Sequence, residues 1–154
     1  MGRGHLARLA AGGVALVLAA AASAAIHWQV LAHGIARGRG PSNPAAYIAL
    51  NLTATNGFAA LLPADARMAL TRNDFTRQAV VAVFGDFGCT DHRIAVTGVV
   101  QRAQTLVVSL LMHPIAPGTV ECMAIYPTYR LLTVAKAQLT RPFPTRAEAR
   151  LARA

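Results

Sequence analysis

The stretch Gln78-Ala79-Val80-Val81-Ala82-Val83-Phe84 constrains the fold of this chain more than any other. After Gln78 every residue is apolar and three are β-branched, the composition and length of a fully buried central strand. The segments around it alternate instead. In Arg93 to Gln101, Ile94, Val96 and Val100 alternate with Arg93, Thr97 and Gln101, and in Thr105 to Met112, Leu106, Val108, Leu110 and Met112 share one face. Arg102-Ala103-Gln104 between them predicts a hairpin. Arg130 to Ala137, with Leu132 and Val134 inward, reads as the last strand.

Upstream, Ile26, Trp28 and Val30 recur at period two within Ile26 to Leu31, and Tyr47 to Leu50 can extend as a short strand. The Gly- and Pro-rich stretch from Gly34 to Pro44 is a connection. Thr53 offers an N-cap for a short helix over Asn56 to Leu62, which Pro63 stops. Asn73-Asp74-Phe75 is a polar turn. Near the other end, Thr145 and Glu148 stand at capping-box spacing, which predicts a short basic helix over Arg146 to Ala152 within a tail from Arg141 to Ala154. Strands clustered after a helix and joined by short links predict an α+β, β-dominated domain. The expected form is a small antiparallel sheet with one short helix and a C-terminal helix.

The chain is more apolar than such a domain requires: 55% of its 154 residues are hydrophobic, 14% are charged and the mean hydropathy is +0.41. Disorder is excluded, because disordered chains lack the apolar surface that offsets ordering entropy. Part of the excess lies at the start. Arg3, His5 and Arg8 precede an apolar run from Leu9 to Ala22, and Ala22-Ser23-Ala24 has the small-x-small form read by signal peptidase. We expect residues 1–24 to be a signal peptide and the protein to be periplasmic or secreted, with residues 25–140 forming one β-rich domain. The alternative is an uncleaved inner-membrane anchor over residues 9–31, with the domain facing outward. Only then would the membrane be a partner.

Removing residues 1–24 leaves 13 basic and 6 acidic residues, and all the basic ones except Lys136 are arginine. The arginines are scattered and not interleaved with aromatics, so nucleic acid is not an expected partner. Two cysteines, Cys89 and Cys122, read as one disulfide in an exported protein. It would close a loop of 34 residues and stabilise by about 3 to 4 kcal/mol in the chain-entropy model. The competing reading uses Cys89, His92, His113 and Cys122 as tetrahedral zinc ligands or as a thiol-imidazole centre. The nine residues from His113 to Cys122 exceed the short ligand spacings usual in structural zinc sites, and a disulfide would consume both thiols.

No complete catalytic motif is present. Asp86-Phe87-Gly88 lacks the glycine-rich nucleotide loop and the length of a kinase. Asp91-His92 has no serine in a strained elbow to activate. Neither an enzyme nor a cofactor is expected.

From Asn73 to Lys136 the chain resembles the C-terminal domain of the protease complex subunit PrcB family. The matching features are Asp74-Phe75, the strand Val80 to Gly85, alternating strands over Ile94 to Val100 and Leu106 to Leu110, the turn Pro117-Gly118, and a closing strand from Tyr129 to Lys136. Phe87-Gly88-Cys89 stands where family members tend to have Gly-Gly-Tyr, and a lipobox cysteine is missing from Ala22 to Ala25. The resemblance implies a small exported domain, found as an accessory subunit of a secreted protease or on its own. The resulting expectation is a non-catalytic module that binds or stabilises a protein partner, such as a protease. Its candidate loops are Gly85 to Arg93 and His113 to Tyr126, with Phe87, Asp91, His92, Pro117, Glu121 and Tyr126 as contact residues.

Overall fold

The computed structural model describes residues 24–41, 43–86, 94–114, 118 and 126–153. They form seven strands and one α-helix, in the order β1 (Trp28–Ile35), β2 (Ala45–Ala49), α1 (Ala64–Arg72), β3 (Gln78–Asp86), β4 (Ile94–Arg102), β5 (Thr105–Met112), β6 (Pro127–Ala135) and β7 (Arg146–Arg153). The β-dominated α+β class expected from the sequence is the class observed. Its strands are divided between two sheets. One is antiparallel with the order β1-β6-β3-β2; the other has the order β4-β5-β7. In the second, β4 and β5 are antiparallel, and β7 lies parallel to β5.

Layering explains the apolar run. Ala79, Val81 and Val83 of β3, with Leu132 and Val134 of β6, meet Val99, Leu106, Val108 and Leu110 of the three-stranded sheet. The alternate residues Val80, Ala82 and Phe84 of β3, with Tyr129 and Leu131 of β6, face the other way onto Phe58, Leu62, Ala66 and Leu70. β3 therefore lies inside three layers: helix and turns, four-stranded sheet, three-stranded sheet. With apolar cover on both faces, no position from Ala79 to Phe84 can carry a polar side chain at low cost. On the helix side, the rings of Tyr47, Phe58 and Phe84 pack with centroids 5.9–6.3 Å apart.

Just before β1 the chain reaches the other sheet as well. Ala25 bridges Val100 of β4, and the Ile26 amide donates to the Val99 carbonyl at 2.9 Å, before β1 turns onto β6. Two glutamine amides hold this junction by mimicking a peptide. The Gln138 side chain accepts from the His27 amide and donates to the His27 carbonyl; that of Gln101 does the same for Thr140. The segment from Ala25 to Leu31, the last seven residues of the alternative anchor, is thus built into the sheets. Among the described residues no helix is long and apolar enough to cross a membrane; Leu9 to Ala22 lie outside them.

Two elements differ from expectation. Thr53–Gly57 and Ala59–Leu61 form 3-10 turns, and the α-helix begins after Pro63. There, Asn51 Oδ1 accepts from the Ala54 amide at 2.8 Å, and the Thr55 hydroxyl donates to the Leu52 carbonyl at 2.6 Å. These local bonds favour tight turns, whereas the fixed φ of proline suits a helix start. The second difference is Arg146 to Ala152, which is not a helix but most of β7. Ala147, Ala149 and Leu151 point into the core between the sheets, in register with Leu106, Val108 and Leu110. Pairing with β5 places these three side chains against the core, and it overrides a composition that favours helix.

Candidate functional site

The candidate site is the end of the sandwich where β3 and β5 finish. Asp86, the last residue of β3, is paired with Pro127, the first of β6, and Ile94, the first of β4, is paired with Met112, the last of β5. The connection from Asp86 to Ile94 therefore joins the four-stranded to the three-stranded sheet, the connection from Met112 to Pro127 returns, and the roots of both are at this end. Both connections start and finish on directly paired residues, whose Cα atoms lie about 4.5–5.5 Å apart in antiparallel pairs. The roots of the two candidate loops share one end of the molecule.

Of the residues singled out in the sequence, Tyr126 and His113 fall among the described ones. Tyr126 is 47% exposed, immediately before β6. His113 is exposed at the end of β5 and is engaged by a neighbour. Phe87, Cys89, Asp91, His92, Pro117, Glu121 and Cys122 lie outside the described residues, and with them the proposed disulfide and three of the four ligands of the zinc alternative. Among the described residues there is no group of three or more His, Cys, Asp or Glu placed to hold a metal ion.

Sequence reasoning did not anticipate a third contributor to this end. β1 terminates here at Ile35, which is 54% exposed and paired with Thr128 of β6. The Ala36 amide donates to the Pro127 carbonyl at 2.7 Å, and the Arg37 amide to the Leu61 carbonyl at 2.8 Å. The backbone of Gly40 then passes so close to Pro127 that a Cβ there would lie 2.8 Å from the proline Cβ. Only glycine fits this contact. The connection after β1 is thereby fixed against the root of the second loop, and Ile35 and Tyr126 stand exposed on neighbouring strand ends. Nothing in the sequence marks residues some 90 positions apart as neighbours; the signal is the β1-β6 pairing.

The charge at this end is mixed. Arg37 and Arg39 are exposed on the connection, while Asp86, Asp91 and Glu121, half of the chain's acids, belong to the end of β3 and the two loops. One carboxylate at the opposite end has an altered acidity: Asp74 is held below the usual carboxylate range because its Oδ1 accepts from the Thr76 hydroxyl and the Thr76 amide, with Arg77 nearby.

No family model, no curated protein and no solved structure matches this chain.

Proposed function

We propose that this protein is an exported, non-catalytic binding module that engages a protein partner through the loop end of its sandwich. The observation that carries the reading is the pairing of Asp86 with Pro127 and of Ile94 with Met112, which brings both long connections to one end. In the reading, Cys89 and Cys122 link the loops, and a cross-link between two loops rooted on paired strands pre-orders a binding edge and lowers the entropy lost on association. Ile35 and Tyr126 supply exposed apolar surface at its side, in keeping with the aromatic enrichment of protein interfaces. Export rests on the leader-like residues 1–24; the sheet begins at Ala25, the residue that cleavage would leave at the N-terminus. The resemblance of Asn73 to Lys136 to the PrcB C-terminal domain makes a secreted protease the favoured partner.

The test is position-dependent cross-linking in the native envelope or secreted fraction. A photoreactive residue at position 126 is expected to give a discrete adduct, identifiable by mass spectrometry, which the same residue at position 102 does not give. Equal labelling from both positions, or no adduct from position 126, would overturn the reading.

A further inference from the structure

The opposite end of the sandwich has a different chemistry. It is where β1, β3 and β7 begin and β4 and β6 finish, as the pairs Trp28-Val134, Gln78-Ala135, Arg102-Thr105 and Thr105-Arg146 establish. The topology gathers six basic residues there from five parts of the chain. Arg72 closes α1. Arg77 and Lys136 meet where the Lys136 amide donates to the Arg77 carbonyl and Lys136 Nζ to the Phe75 carbonyl. Arg102 ends β4, Arg141 stacks over the Phe143 ring at 4.9 Å, and Arg146 opens β7 with its Nε on the Thr105 hydroxyl. All are exposed except Lys136, which is half-buried. Against them stand Asp74, facing Arg77 at 3.9 Å, and at the margin Glu148, facing Arg150 at 3.6 Å.

A second observation concerns where the chain enters. Ala24 lines an open cleft of about 1130 Å³ at this same end, together with Arg102, Gln138 and Arg141. The described chain therefore starts within this basic end, on the far side from the roots of the loops. Guanidinium and ammonium groups gathered on one exposed end are the groups that reach anionic headgroups.

We infer that this basic end docks on an anionic phospholipid surface, with the loop end directed away from it. Six cations from separate elements form a surface broad enough to meet several headgroups at once. The polarity of the fold would then leave the loops free for a protein partner. The inference is separate from the protein-binding reading, and each can fail without the other.

Trp28 is the only tryptophan and lies at this end, half-buried at the start of β1, so it reports docking. The experiment mixes the full chain, purified from the envelope or secreted fraction, with vesicles of phosphatidylglycerol or of phosphatidylcholine carrying brominated acyl chains. Trp28 quenching and vesicle flotation are followed at low and at high salt. Binding is expected to be tighter to phosphatidylglycerol and to weaken as salt screens the charges. At roughly 1 kcal/mol, or about fivefold, per basic residue near the surface, the variant Arg72→Gln/Arg102→Gln/Arg141→Gln is expected to lose about a hundredfold in affinity for phosphatidylglycerol. These three side chains are exposed, so the variant keeps its fold, and circular dichroism checks this. The variant Arg37→Gln/Arg39→Gln, at the loop end, is expected to bind as the parent does. Equal affinity for the two lipids, equal losses in the two variants, or no loss in the first would overturn the inference. That holds also for a chain that retains its apolar segment, because the readout is the charge-dependent difference.

Discussion

Replacing two consecutive residues, Leu131 and Leu132, with alanine one at a time tests the layered architecture directly. In a sheet with one solvated face, adjacent residues point to opposite sides, and one of the two substitutions would be cheap. Here both leucines are fully buried: Leu131 packs with Phe58, Leu62 and Leu70 on the helix side, and Leu132 with Val81, Leu106 and Val108 between the sheets. Each truncation removes apolar contact and leaves a cavity in a layer enclosed by neighbours, a change that costs about 2 to 5 kcal/mol. That is a large share of the roughly 5 to 15 kcal/mol by which domains are stable. At about 3 °C per kcal/mol for a chain of this size, each variant is expected to melt some 6 to 15 °C below the parent. Urea titration followed by circular dichroism gives the free energy, with an unchanged m-value as evidence that the same surface is exposed on unfolding. A loss below about 1 kcal/mol for either variant would refute the three-layer account, because it would place that leucine on an open face.

Three further outcomes follow from local chemistry. Gln101 donates to the Ala103 and Thr140 carbonyls and accepts from the Thr140 amide, each at 2.8 Å; Gln101→Ala should cost about 1 to 2 kcal/mol, and Gln101→Glu more, since it sets a carboxylate against two carbonyls. The reverse order in a thermal melt would refute the amide mimicry. Ala103, at φ 50° in the hairpin, sits in the left-handed region that glycine tolerates; Ala103→Gly is expected to stabilise by about 0.5 to 1 kcal/mol, and a lower melting temperature would contradict this. For Asp74, the folded-state pKa is depressed, so its stabilising share is present above the unfolded value and is lost as pH falls through the folded one; Thr76→Val should move the Asp74 titration, followed by NMR, upward toward the ordinary carboxylate value, and an unmoved midpoint would refute the assignment of the cause.

Particular residues show what could be read in advance. The unbroken run Ala79 to Phe84 announced a central strand because burial on both sides removes every polar option, and the alternation in β4 and β5 announced a hairpin because one face of each is more exposed. The helix was misplaced because Pro63 reads equally as a stop and as a start; the competing hydrogen bonds of Asn51 and Thr55, which decide between the two, depend on backbone geometry. β7 was misread because Ala, Arg, Glu and Leu are good helix formers, and the pairing with β5 that makes them a strand lies some 40 residues away in sequence. The candidate loops were located by composition, but their common end follows only from the register of β3 with β6 and of β4 with β5. Ile35 and Gly40, which complete that end, carry no sequence signal of their own.

The central proposal is that the two connections rooted at this end of the sandwich are linked through Cys89 and Cys122. Mass spectrometry of the unreduced, exported protein after proteolysis tests it most directly. The account predicts one linked peptide pair containing Cys89 and Cys122, and no free thiol. Two titratable thiols, or a cysteine joined to a second copy of the chain, would contradict it.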